Sequence, residues 1–182
     1  MIGIVPGQIV TDSLVDEPLH RAGEALADPE RDLAKIAVVE RHLGTGRVGL
    51  GFVRGFGLQR GAIASTVAHD AHNVVVVGTN DHDIDAAIKA LEKMRGGQVA
   101  VEDGAVTAAL PLPIAGLVSD QSLETVIANI SELNAAAAKL GSNLDAPFMT
   151  LSFVSLSPIP ELKLTDLGLI DAVHMRATSL FA

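Results

Sequence analysis

The stretch "ASTVAHDAHNVVVVGTN", residues 64–80, packs His69, Asp70, His72 and Asn73 into five positions immediately before four valines. Two imidazoles and a carboxylate suit zinc, iron or manganese, which makes His69, Asp70 and His72 candidate metal ligands. The same residues suit general acid–base work, because an aspartate can orient an imidazole. A third possibility is a polar turn leading into a buried strand. There Asp70 and Asn73 would satisfy backbone N–H groups and the histidines would cap neighbouring strands. An H-x-x-H spacing in a loop has no fixed geometry, so the spacing leaves all three open.

Glu40-Arg41-His42, followed by Gly44-Thr45-Gly46, is a second candidate. A strand end that carries an acid, a base and an imidazole is a usual place for a functional group. An ion pair beside a tight turn is the alternative. Gly-Thr-Gly is too short for a phosphate loop, and no G-x-x-x-x-G-K is present. Ser65 precedes the first cluster and joins it as a site candidate. Neither Ser65 nor Ser155 lies in a G-x-S-x-G elbow, so a serine hydrolase is not indicated. His20, His82 and His174 each stand alone and read as structural.

These groups must be held by strands and helices. Residues 1–10 read as a strand broken at Pro6-Gly7. Residues 11–30 are acidic, contain two prolines and lack periodicity, which suggests a surface excursion. "KIAVVERH", residues 35–42, is a β-branched strand. Residues 47–53 alternate, with Val48, Leu50 and Phe52 on one face, the pattern of a half-buried strand. Residues 61–66 form another short extended segment. "NVVVVG" is the continuous apolar run of a strand buried on both faces.

Asn80 is an N-cap, Asp81 and Asp83 suit the first turn, and Ile84, Ala87, Ile88 and Leu91 give helical spacing up to Gly96-Gly97. Asp103-Gly104 between β-branched runs predicts a hairpin. A second helix runs from about residue 121 to 140, its buried stripe made of Leu123, Val126, Ile127, Ile130, Leu133, Ala137 and Leu140. The segments 104–119 and 146–160 are long, uncharged and interrupted by proline, and read as buried or interface segments. "VHMRATSLF" reads as a final edge strand. The order is no regular βαβ repeat. The expected architecture is α+β: a mixed β-sheet sandwich with flanking amphipathic helices, in a single domain over 1–182.

Composition narrows the partners. The chain has 182 residues, 48% hydrophobic and 19% charged, which is a folded domain with a sizeable core. Its net charge of −9, with 13 scattered Lys and Arg and 3% aromatics, argues against nucleic acid. Cysteine is absent, which excludes disulfides and thiolate metal sites. No apolar run reaches the ~18 residues of a membrane span, and the N-terminus carries no basic leader, so no membrane association is expected.

Four stretches, "DPERDLAKIAVVERH", "GFVRGFGLQRGAIASTVAHDAHNVVVVGTND", "LPLPIAGLVSD" and "PFMTLSFVSLSPIPELKLTDLGLID", resemble the C-terminal domain of bacterial adenine deaminase, in the amidohydrolase superfamily. The resemblance runs from about Ile2 to the end and is least clear over 11–27 and the last ten residues. It implies a cytoplasmic enzyme of purine salvage that converts adenine to hypoxanthine and ammonia. It also implies a divalent metal, manganese or iron, held in a TIM-like barrel whose first ligands form an H-x-H pair. This chain contains six histidines but no H-x-H. It is also too short to add a barrel of ~250 residues. The metal-binding barrel is therefore expected elsewhere, and the chain alone is expected to be inactive. The expected partners are a catalytic barrel domain or chain, an adenine or other purine ligand, and further copies in a homo-oligomer. His69, Asp70, His72, Asn73, Ser65, Glu40 and His42 are the candidates for lining the purine pocket. The competing readings are a stand-alone purine- or metal-binding module and a structural or oligomerisation domain.

Overall fold

The computed structural model describes residues 1–181. Its strands are β1 (Ile2–Ile4), β2 (Thr11–Ser13), β3 (Leu19–Arg21), β4 (Glu24–Leu26), β5 (Leu33–Val39), β6 (Val48–Arg54), β7 (Ala62–Ser65), β8 (Val74–Gly78), β9 (Gly97–Glu102), β10 (Ala105–Pro111), β11 (Leu162–Thr165), β12 (Gly168–Asp171) and β13 (Arg176–Ala177). Its α-helices are α1 (Asp81–Met94), α2 (Leu123–Lys139) and α3 (Pro147–Phe153). The architecture is α+β. An eight-stranded mixed sheet has the order β10-β9-β7-β8-β5-β6-β1-β2, with β1 parallel to β6 and the other pairs antiparallel. A three-stranded sheet, β11-β12-β13, packs against β6, and β3-β4 form a small hairpin.

The valine run does what its composition demands. Val75 and Val77 face one core with Ile36, Val38, Ile63, Leu133 and Leu151. Val74 and Val76 face the other, with Ala87 and Leu91 of α1. A central strand covered on both sides has no polar face to show. The α1 cap is also as read: Asn80 Oδ1 accepts the Asp83 N–H at 2.8 Å. Arg95, not a glycine, takes the left-handed turn at the helix end (φ 62°), and Gly97 already belongs to β9. At the β9–β10 turn, Asp103 and Gly104 both adopt positive φ, as a two-residue hairpin requires.

Three expectations need correction. The apolar face of β6 is only partly covered: Phe52 is buried, but Val48 is 47% and Leu50 61% exposed. The glycine face is the buried one. A Cβ on Gly49 would lie 1.9 Å from the Thr165 carbonyl oxygen, so the missing side chain is the seat of the small sheet. On α2, Leu133, Ala137 and Leu140 are buried, but Leu123, Ile127 and Ile130 are exposed, which leaves the first half of the stripe uncovered. Residues 11–30 are not wholly a surface excursion, since β2 pairs with β1 and the Thr11 hydroxyl donates to the Leu162 carbonyl at 2.7 Å. The two uncharged segments divide: Ala108, Leu110, Leu112, Phe148, Leu151 and Val154 enter the core, while Val106, Ile114, Val118 and Met149 stay exposed.

Register decides where the loops meet. Val39 lies opposite both Val48 and Val74, Ser65 opposite Val75 and Gln98, and Gly97 opposite Pro111. The connections 40–47, 66–73, 95–96 and 112–122 therefore emerge at one end of the sheet. Both histidine-bearing motifs are in that set.

Candidate functional site

The β7–β8 connection is built as a tight, tethered loop. Buried Thr66 anchors its start, its hydroxyl donating to Gly116 O at 2.6 Å and accepting from Gly97 N at 2.8 Å. His72 closes the turn twice over. Its backbone N–H donates to Ala68 O at 2.6 Å, and its ring Nδ1 accepts the Ala68 N–H at 3.2 Å. His69 is tied to the end of α3 by donating its N–H to Ser152 O at 2.9 Å and by accepting from Ser155 Oγ at 3.3 Å. Its ring lies between Phe153, with centroids 4.8 Å apart, and the edge of His72, at 5.7 Å. Asp70 is exposed, and no partner for its carboxylate occurs among the described residues.

The β5–β6 connection is organised around one buried carboxylate. Glu40 accepts from the backbone N–H groups of His42, Leu43 and Thr45 and from the Thr45 hydroxyl, at 2.6–3.0 Å. These donors, Thr45 and Leu43 foremost, hold its pKa down at about 2. Arg41 then reaches across the gap between loops. Its Nε donates to His72 O at 2.5 Å and its Nη2 to Ala115 O at 2.7 Å. The His42 Nε2–H donates to Ala71 O at 2.7 Å. Below them, Asn73 donates to Asp166 Oδ1 at 3.2 Å, and Asp166 Oδ2 receives Arg47 Nε at 2.8 Å.

Glu40 yields a pH prediction. Its folded pKa lies below its ordinary value of 4.5. The charged form is therefore favoured by folding, its contribution is full above about 4.5, and it is lost as pH falls through about 2. The thermal midpoint of the wild type should exceed that of Glu40→Gln by a constant margin near neutrality, and the margin should shrink between those two pH values. A margin unchanged down to the lower value contradicts the assignment.

The structure thus brings His42, His69, Asp70, His72 and Asn73 to one end of the sheet, with Glu40 as the organiser of the loop that carries His42. Ser65 does not join them. It is fully buried, and its hydroxyl accepts the Val67 N–H at 2.9 Å in a turn of its own. Among the described residues no three His, Asp or Glu side chains are grouped to hold an ion, His69, Asp70 and His72 included. The His72 Nδ1 is already occupied by a backbone N–H. Burial, with His69 and Arg41 nearby, also lowers its pKa and favours the neutral ring. The donor set of this domain does not fit the family's metal.

Asp70 and Asn73 also line a cleft of about 550 Å³, with Ser155, Ser157, Asp166 and Arg176. Arg41, Thr66 and Asp166 carry the geometry, yet no local pattern singles them out. A G-x-G-x-x-G spacing does occur at residues 44–49. It links two antiparallel strands and opens no helix, so it lacks the helix N-terminus that phosphate binding by this motif requires.

The adenine deaminase C-terminal domain family matches residues 8–176. The "Adenine deaminase" of Desulfatibacillum aliphaticivorans is 52% identical over 181 residues, covering 100% of this chain and 32% of the relative. That of Oleidesulfovibrio alaskensis is 54% identical over 174 residues, 96% of this chain and 30% of the relative. "Adenine deaminase 2" of Carboxydothermus hydrogenoformans is 53% identical over 173 residues, 94% and 30% of the two chains. The chain spans about a third of the length of these relatives. Since the family match runs through every loop of the cluster, the chain belongs to the adenine deaminase C-terminal domain family.

Proposed function

We propose that this domain works in the hydrolytic deamination of adenine, in which water replaces the 6-amino group to give hypoxanthine and ammonia. It does so beside a metal-binding barrel that this chain does not contain, in the cytoplasm, as the family resemblance implies. The observation that carries the proposal is the loop cluster. Connections far apart in sequence meet at one end of the sheet, tied together by Arg41, His42 and Thr66. A rigid platform of this kind is what a site-lining group needs. The domain's part is to close over the purine, supply donors from the loop and exclude bulk water, while a metal held in the barrel would activate the attacking water.

The test is a chimera in which this chain replaces the C-terminal third of the Desulfatibacillum relative. Ammonia release from adenine is expected from the chimera and not from the isolated chain. An inactive but folded chimera overturns the proposal. Purine binding by the isolated chain without support of catalysis would favour a stand-alone binding module instead.

The uncovered face of α2 is the proposed seat of the barrel. Leu123, Ile127 and Ile130 recur at helical spacing on α2 and are exposed. Ile127→Asp should weaken association of the chain with a separately expressed barrel by about tenfold or more, leaving the domain's own thermal midpoint in place. Unchanged affinity in a titration would point to another seat. Light scattering of the isolated chain tests the expected homo-oligomer separately.

A further inference from the structure

We propose that His72 is a fixed hydrogen-bond donor that recognises a ring nitrogen of the purine. This rests on the function proposed above and goes beyond it by giving one residue a chemical task. The starting point is a backbone contact. The Ala68 N–H points at His72 Nδ1 at 3.2 Å, and a backbone amide can only donate. Nδ1 must therefore present its lone pair, and the neutral ring carries its proton on Nε2.

The ring has no freedom to do otherwise. His72 sits at φ 49°, its N–H is bonded to Ala68 O at 2.6 Å and its carbonyl is held by Arg41 Nε at 2.5 Å. The His69 ring stands against it at 72° between planes. Protonation would have to break the Ala68 contact beside the Arg41 guanidinium. The acidic group close to the ring is Asp70 of the same loop, while His42 and His69 add no negative charge. At the far end, Nε2–H has no partner among the described residues and is not sealed from solvent. A donor held in place and left unpaired is suited to an acceptor that arrives with a ligand. Purines offer such acceptors as ring nitrogens in the plane of the base. The same geometry makes His72 a poor general base and a poor metal ligand, because the nitrogen left without a partner already holds the proton.

His72→Asn is the informative variant. Asparagine tolerates positive φ and can still accept the Ala68 N–H through Oδ1, but it cannot reach as far as Nε2. In the active chimera, inhibition constants are measured for 1-, 3- and 7-deazaadenine, each of which replaces one ring nitrogen by C–H. The wild type should bind one of the three about tenfold more weakly than the other two, and His72→Asn should erase that gap. Nitrogen NMR of the isolated chain should show the Nε2–H tautomer above the ring's pKa. An Nδ1–H tautomer, or a gap that survives in His72→Asn, overturns the inference while the function proposed above stands. An inactive wild-type chimera overturns both.

Discussion

Arg41→Met in the chimera is expected to lower kcat by about a hundredfold while the thermal midpoint changes little. One guanidinium joins three connections: it grows from the β5–β6 loop, holds His72 O of the β7–β8 loop and holds Ala115 O of the β10–α2 loop. It also packs against Gly116, where a Cβ would come within 2.7 Å of Nη2. Without it the loops keep their strands but lose their common spacing. Misplacement of a site-lining group by about 1 Å is enough for a loss of about that size. Arg41→Lys should not restore turnover, since an ammonium lacks the planar fork that serves two carbonyls on different loops. Wild-type kcat in Arg41→Met would show that the loops are positioned by something else.

Gly49→Ala is expected to destabilise the fold by at least about 3 kcal/mol, the upper end of the usual effect of overpacking. The added methyl would meet the Thr165 carbonyl oxygen at 1.9 Å and Gly168 N at 3.1 Å. These are backbone atoms of the β11–β12 hairpin and cannot swing aside as a flexible side chain can. The hairpin must lift from β6, and with it Asp166, which supports Asn73. Urea denaturation gives the measurement. A midpoint equal to that of the wild type would mean that the small sheet does not sit on β6 as described.

Both effects involve contacts that local patterns do not show. The buried valines, the Asn80 cap and the Asp103-Gly104 turn were readable in sequence because each depends on a few neighbouring residues. The β6 face is only partly legible, since Phe52 is buried and Val48 and Leu50 are not. Alternation marks Val48 and Leu50 as apolar, but glycine gives no sign that another sheet rests on it. The first half of the α2 stripe has the right period, yet period alone does not say whether the covering surface lies in the same chain. Lys163 is a further case. It is fully buried, with Nζ donating to Ile9 O at 2.7 Å and Phe153 O at 3.2 Å, and burial lowers its pKa to about 8. Nothing in "PELKLTD" distinguishes it from a surface lysine.

The candidate site was legible as a concentration of polar residues and not as a device. His69, Asp70, His72 and Asn73 stand together in sequence, so their meeting in space is no surprise. What sets their chemistry is Arg41, 31 positions from His72, and the Ala68 amide, which the composition of the motif does not reveal. The tautomer, and with it the exclusion of metal binding through Nδ1, follows from those contacts.

In the proposed function, the sheet end bearing loops 40–47 and 66–73 faces the reacting purine. Hydrogen–deuterium exchange of the chimera, with and without saturating hypoxanthine, tests it most directly. The amides of residues 66–73 and 40–45 should exchange more slowly on addition of ligand. Protection confined to other surfaces, with these two loops unchanged, would contradict it.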